Sequence, residues 1–311
     1  MSNNNNNKKN KLVTVVDSTS EVGDFVTRAL LKEGYKVRAL TRNIESNAAK
    51  ALKNLDAEVV KCSDTDSPAN IQAALIDTEV IFYPTNFWSS FEKEVEYGIK
   101  FVDAALSVKT VKHYVFHGLI SCKTVSNDKY SVPHFDLKYR VEQHLRKVSA
   151  ENPSFISSFI YSPFYMQNFS SIFTPKRSTT QNGTYTISMP LEESKPLDMV
   201  DIKDIGPIVA GIVANPSKYS GVVVPLAGER LTGDQICQVF TKVTGKQVKY
   251  NYIPPATFRT FAFPYANEIA SMFQFFSEFG AFNDLDTSLA SSIHKLTSLE
   301  DYLISTKFRF E

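Results

Sequence analysis

A strand, a tight turn, a helix and a second strand follow one another in LVTVVDSTSEVGDFVTRALLKEGYKVRALTRN, residues 12–43, and this run constrains everything after it. Leu12, Val13, Val15 and Val16 read as a buried strand. Val22, Phe25, Val26, Ala29 and Leu30 recur at helical spacing, and Gly34 stops the helix. Residues 36–41 form the second strand. A unit of this kind joins parallel strands, and its first turn meets a helix N-terminus, where dinucleotide-binding folds hold a pyrophosphate. Glycines spaced three apart usually line that turn. This chain has Asp17, Ser20 and Gly23 there, so the frame is present with one glycine of three.

The rhythm continues. Helical patterns at 47–55, 71–76, 91–107 and 135–148 alternate with strands at 57–61, 80–83, 113–117 and 155–161. Val95, Ile99, Phe101, Val102 and Ala105 give the third of these helices its apolar face. Such alternation predicts an α/β fold, a Rossmann-type doubly wound parallel sheet with helices on both faces. From Ser162 onward, Pro163, Pro175, Pro190 and Pro196 punctuate the chain. Strands are expected at 184–188, 221–226 and 247–253, and helices at 204–214 and 233–243. The expected organisation is a disordered polar tail at 1–10, a Rossmann-type domain at 11–161, and a smaller irregular α+β C-terminal subdomain at 162–311, interleaved with the first. Phe273, Phe275, Phe276, Phe279 and Phe282 form an aromatic cluster that is either core packing or, if exposed, a partner or self-association face.

Composition excludes several functions. The 311 residues carry a net charge of +1 with no basic cluster beyond Lys8 and Lys9, which argues against direct nucleic-acid binding. Cys62, Cys122 and Cys237 lie far apart and outside metal-ligand spacing, so no metal site is expected, and they read as reduced thiols of a cytoplasmic protein, with the nucleus as an alternative. No apolar run approaches about 18 residues, and the N-terminus lacks an apolar core, so neither a membrane span nor a secretory signal is expected.

Several short motifs, in this order, carry a resemblance: VRALTRN at 37–43, AEVVK at 57–61, PTNFW at 84–88, HFDLK at 134–138, SPFYMQNF at 162–169 and DIKDIGPIV at 201–209. With the first strand–helix–strand unit, they make the chain resemble the NmrA-like family, atypical short-chain dehydrogenases/reductases, most closely its NADP(H) redox-sensor branch. The resemblance spans roughly residues 11–308. It implies a Rossmann-type domain, an NADP(H) cleft, and regulation through protein partners such as transcription regulators or signalling proteins. Monomer and homodimer both stay open.

The resemblance also implies cofactor-binding positions. The phosphate turn is Asp17, Ser18, Thr19, Ser20, Glu21, Val22 and Gly23. Arg42, with Asn43, follows the second strand and is where an arginine would receive a 2′-phosphate. Ser63 and Asp64 would flank adenine, and Thr85, Asn86 and Phe87 the middle of the cofactor. Lys138 would contribute too, and Phe164, Tyr165, Met166 and Gln167 would border the nicotinamide.

The residues themselves oppose part of this. Asp17 and Ser20 replace glycines, and a carboxylate about 4 Å from a phosphate costs roughly 4 kcal/mol at an effective dielectric near 20, about three decades of affinity. Ser18 and Glu21 have capping-box spacing, so the helix is expected to satisfy its own N–H groups. Glu96 falls where redox-sensor members carry a cofactor-facing lysine. In the Tyr-x-x-x-Lys pair of active reductases, tyrosine donates the proton and lysine lowers its pKa. Here Lys138 is retained, but His134 stands at the tyrosine position. If the chain is active, His134 and Lys138 are the catalytic candidates. Asp17, Ser20 and Glu96 favour a non-catalytic regulator with a degenerate NADP(H) site over a redox sensor, and loss of the tyrosine argues against a reductase of small carbonyl or enone substrates.

Overall fold

The computed structural model describes residues 11–179 and 183–310, so the expected tail at 1–10 lies outside the described residues. By its internal packing the chain divides into two units. The first comprises the chain up to Leu119, Leu137–Tyr161 and Ile202–Val224. The second comprises Ile120–Asp136, Ser162–Asp201 and the chain from Pro225 onward.

The strands in chain order are β1 (Leu12–Val15), β2 (Lys36–Thr41), β3 (Glu58–Lys61), β4 (Val80–Pro84), β5 (His113–Gly118), β6 (Ile156–Tyr161), β7 (Phe164–Tyr165), β8 (Lys176–Arg177), β9 (Thr184–Met189), β10 (Leu197–Val200), β11 (Val223–Pro225), β12 (Glu229–Leu231) and β13 (Gln247–Tyr252). The first unit is built on a seven-stranded sheet in the order β11-β6-β5-β4-β1-β2-β3, and β1 to β6 pair in parallel. This is the Rossmann-like order expected from the alternating pattern. β4 and β5 lie mid-sheet and every one of their residues is buried, as strands covered by helices on both faces require. The buried hydroxyls of Thr14 and Thr78 satisfy each other at 2.7 Å.

Serines start the helices that follow the sheet's loops. Ser20 opens Glu21–Lys32, Ser46 opens Asn47–Lys53 and Ser67 opens Pro68–Ala74, each hydroxyl accepting a backbone N–H three residues on. This corrects the capping box expected of Ser18 and Glu21. The helix begins at Glu21, so Glu21 is its first residue and not its third. Ser18 instead is wholly buried and donates to the Leu40 carbonyl at 2.9 Å.

Two helices of this unit meet at glycine. A Cβ on Gly206, in Ile205–Ala214, would come within 2.5 Å of the Phe25 carbonyl in Glu21–Lys32. The chain therefore returns after residue 201 to complete the first unit.

The second unit holds two three-stranded sheets, β12-β10-β7 and β13-β9-β8. Its core is aromatic. Phe273, Phe275, Phe276 and Phe282 are buried and Phe279 is half-buried. The cluster is core packing, which removes it as a partner or self-association face: four rings on Ala266–Phe279 and the following turn face inward.

Candidate cofactor site

Chain order reverses across the sheet between β1 and β4, and ligands of open α/β sheets sit beyond the strand carboxyl ends at such a point. Four strand ends of the first unit supply the site. β1 leads to Asp17, β2 to Arg42, β3 to Cys62, Ser63 and Asp64, and β4 to Thr85 and Asn86. Asp17, Arg42, Ser63, Asp64 and Asn86 line one small cavity, together with Thr65 and Tyr83, which the sequence did not single out.

The turn after β1 keeps the conformation that glycine would favour. Asp17 has φ of +51°, in the left-handed region. Its carbonyl accepts from the Ser20 backbone N–H at 3.0 Å and from the Ser20 hydroxyl at 2.7 Å. Ser20 also accepts the Gly23 N–H at 3.2 Å, so one serine both closes the turn and caps the helix. Gly23 is required. A Cβ there would lie 2.3 Å from the Asp17 carbonyl oxygen. Thr19 reaches Thr41 at 2.8 Å, tying the turn to the end of β2. Glu21 is exposed and Val22 half-buried at the start of the helix.

The rim is electrostatically mixed. Burial pushes Asp17 above the usual carboxylate range. The Arg42 guanidinium opposes this, the Asp64 carboxylate reinforces it, and hydrogen bonds with Ser20 and Asn86 hold the charge in place. Asp64 accepts from the Tyr83 hydroxyl at 3.0 Å. Ser63 shares a 2.8 Å hydrogen bond with Thr65, and the Asn43 carboxamide oxygen accepts the Glu45 N–H at 3.0 Å. The cavity encloses about 50 Å³. That is space for one or two waters, each about 30 Å³ in the liquid. The residue types fit an adenosine phosphate, with Arg42 for a 2′-phosphate and the Gly23 helix end for pyrophosphate, while the enclosed volume is smaller than such a group.

Deeper in the unit lies a different arrangement. The Lys138 ammonium donates to the Thr85 carbonyl at 2.5 Å, to the Thr85 hydroxyl at 2.8 Å and to Glu94 at 2.5 Å. Glu94 is buried, and its second carboxylate oxygen has no hydrogen-bond partner among the described residues. Burial lowers the Lys138 pKa, and the Glu94 carboxylate works against that shift. Neighbouring His117 is pushed down to about 3, first by burial and then by the Lys138 charge. His113 falls to about 4 for the first reason, and its Nε2 bonds Ser158 at 2.8 Å.

Glu94 was missed in the sequence although a signal existed. It falls on the same stripe as Gly98, Phe101, Val102 and Ala105, all buried. A carboxylate on an apolar stripe needs a cationic partner. Glu96, which the resemblance set against a phosphate, is exposed and borders a groove with Pro68, Gln72, Lys100 and Asp103. Two residues turn a helix by about 200°, so Glu94 and Glu96 face opposite ways.

The remaining positions separate. Phe87 is buried at the start of the short helix Phe87–Ser90. Phe164 and Met166 are buried in the second unit, Tyr165 is half-buried beside them, and Gln167 donates to Asp201 at 2.8 Å. His134 also belongs to the second unit. Glu268 accepts its backbone N–H at 2.8 Å and bonds its ring Nδ1 at 2.6 Å. His134 and Lys138 sit four residues apart on the helix Pro133–Glu151, each held by a different carboxylate. Burial pushes the Cys62 and Cys237 thiols up to about 12 and Cys122 higher still, so none is a ready nucleophile. No cluster of three metal-ligating side chains and no helix long and apolar enough to cross a membrane occurs among the described residues.

Comparison with known proteins gives these positions their context. The model of the NmrA-like family matches residues 9–303. An NmrA-like family domain-containing protein of Dictyostelium discoideum is 38% identical over 304 residues, covering 97% of this chain and 99% of that protein. The NmrA-like family domain-containing oxidoreductase cpsB of Aspergillus campestris is 30% identical over 259 residues, 77% of this chain and 74% of that protein. Among solved structures, NmrA, a negative transcriptional regulator, in complex with NADP superposes with a TM-score of 0.81 at 21% identity over 94% of both chains. An Escherichia coli NADPH-dependent quinone oxidoreductase complexed with NADPH gives 0.76 at 19% identity, covering 95% of this chain and 100% of that one. The match along nearly the whole length shows that the chain belongs to the NmrA-like family.

Proposed function

We propose that this protein is a non-catalytic NmrA-like regulator that acts through protein partners in the cytoplasm or nucleus and holds NADP(H) weakly, in a degenerate site. One observation carries the reading. Lys138, the lysine that would assist a catalytic tyrosine, is bound to Glu94 and Thr85, and the tyrosine position holds His134, itself tied to Glu268. Both sets of contacts favour a structural role for these side chains over proton transfer to a carbonyl. The carboxylates of Asp17 and Asp64 at the rim weaken binding of a phosphate further.

The test is a calorimetric titration of the full chain with NADPH and NADP, beside the Asp17→Gly/Ser20→Gly variant. Glycine at a cap position costs only a few tenths of a kcal/mol, so the variant should fold. Binding in the variant with little heat in the wild type is the expected result. Micromolar binding by the wild type would replace this reading with that of an NADP(H) redox sensor, which Arg42 on the cavity wall favours. The names of the fungal relatives point to a third reading, that of a reductase, and NADPH consumption with a quinone or enone by the wild type would establish it.

A further inference from the structure

The turn after β1 departs from a glycine-lined phosphate turn at two positions, and the departures differ in kind. At Ser20 the change is one of bulk, and the added hydroxyl closes the turn and caps the helix. At Asp17 the change is one of charge. Its backbone takes a left-handed conformation, with φ of +51°, which aspartate and asparagine tolerate better than other side chains. What Asp17 adds beyond glycine is a carboxylate on the cavity wall.

Each element around the cavity contributes ionisable groups beside that carboxylate. β2 leads to Arg42, β3 to Cys62 and Asp64, and β4 carries Tyr83, with Tyr97 from the helix Glu94–Ser107. A guanidinium keeps its charge throughout mild acid and base. Burial first of all pushes the Cys62 thiol up to about 12 and the Tyr83 phenol well above its usual range, so both stay neutral there. Asp64 accepts from the Tyr83 hydroxyl at 3.0 Å, and nearby Asp66 accepts the Ser63 N–H at 3.0 Å. On the helix Glu21–Lys32, Glu21 is exposed and Asp24 pairs with Arg28 at 2.6 Å. Asp17 is the rim carboxylate that burial and the Asp64 charge press toward its neutral form, with Arg42 opposing.

We propose that the charge of Asp17, and not its bulk, is what closes this site, so that binding of NADP(H) is coupled to the uptake of one proton by the Asp17 carboxylate. The inference rests on the reading of the site as degenerate at neutral pH and names what regulates it. A protonated Asp17 has the size and shape of asparagine and can donate its O–H to a phosphate oxygen, whereas the carboxylate can only accept. A phosphate brought beside the carboxylate raises its affinity for a proton, and by reciprocity the proton raises the affinity for the phosphate. Affinity therefore rises as pH falls, by up to about tenfold per pH unit for one coupled proton.

The experiment is calorimetric titration of the full chain with NADP at pH 7.5 and pH 6.0, the latter in two buffers of different ionisation enthalpy, which counts the protons taken up with the ligand. A phosphate monoester itself titrates at about pH 6, so Asp17→Asn, which keeps only that contribution, is the reference. Relative to Asp17→Asn, the wild type should gain about tenfold or more in affinity between the two pH values and take up about one proton more per NADP. At pH 7.5 Asp17→Asn should bind at least about tenfold more tightly than the wild type. If Asp17→Asn is unfolded by circular dichroism, Asp17→Gly is read in its place. An equal pH dependence and proton count in the wild type and the variant would overturn the proposal. So would Asp17→Asn as silent as the wild type at pH 7.5 while Asp17→Gly/Ser20→Gly binds, since bulk would then close the site and the degenerate reading would stand. Micromolar binding by the wild type at pH 7.5 with no gain in acid would remove both.

Discussion

The interior and the rim of the cofactor site solve the same problem in opposite ways. Inside, Lys138 and Glu94 neutralise each other at 2.5 Å, and His113 and His117 stay neutral through burial. At the rim, Asp17, Asp64 and Arg42 share one cavity without a close side-chain ion pair among the described residues, and Asp17 sits on left-handed backbone. The interior polar groups are fixed by the fold. The rim groups are positioned by it and left to respond to solvent and ligand.

The comparison breaks first at Lys138. Lys138→Met leaves the Glu94 carboxylate buried without a counter-charge and should cost about 3–5 kcal/mol in urea unfolding, while Glu94→Leu/Lys138→Met should recover most of it. An unchanged unfolding midpoint in the single variant would mean that the interior pair is not structural. At the rim, Gly23→Ala must push a methyl into the Asp17 carbonyl and should cost about 1–3 kcal/mol by the same measurement.

Acid titration sharpens the contrast, because the two regions have opposite signs. His113 and His117 have folded pKa values near 4 and 3, below the ordinary 6.5. Their contribution is present above pH 6.5 and is lost as pH falls toward those values, by up to about 1.4 kcal/mol per pH unit for each histidine. Asp17 is raised from 3.8, so its contribution is present below that pH and is lost as pH rises through its folded value. His117→Gln should flatten the acid limb of the stability profile below pH 6.5, and a profile identical to wild type would count against the buried neutral form. The smallest effect belongs to Asp17→Gly. It removes a side chain from left-handed backbone and should stabilise the fold by about 1 kcal/mol, seen as a small rise in Tm. A fall in Tm would show that Asp17 holds the turn together.

Much of this was readable from sequence where local pattern decides. β2 has the bounds expected of the strand that follows the helix stop at Gly34, and Thr184–Met189 lies within a residue of expectation. The two- and three-residue strands β7, β8 and β12 were not, because pairing partners create them and no periodicity can show in so few residues. Asp17, Arg42, Ser63, Asp64 and Asn86, which the resemblance set at the cofactor, come together in one cavity because each follows closely on the end of a strand. The interior was not legible. The Lys138–Glu94 pair joins residues 44 positions apart, and the family pattern drew attention to Glu96 on the opposite helix face. Choosing between Ser18 and Ser20 as the cap likewise needed the turn geometry, since both precede the same Glu21.

The glycine contact between Gly206 and Phe25 also bears on how the protein is made. The helix Ile205–Ala214 and nearly all of strand β11 belong to the first unit, yet they leave the ribosome after two segments of the second unit, Ile120–Asp136 and Ser162–Asp201. Six strands synthesised early wait with an uncovered helix face and an open sheet edge until residue 224 is available. Contacts spanning about 180 residues are slow to close and leave sticky surface exposed meanwhile. A chain cut after Tyr161 would hold every one of the rim residues and still lack the pieces that seal its core, so cofactor-site geometry and folding competence reside in different stretches of the same polypeptide.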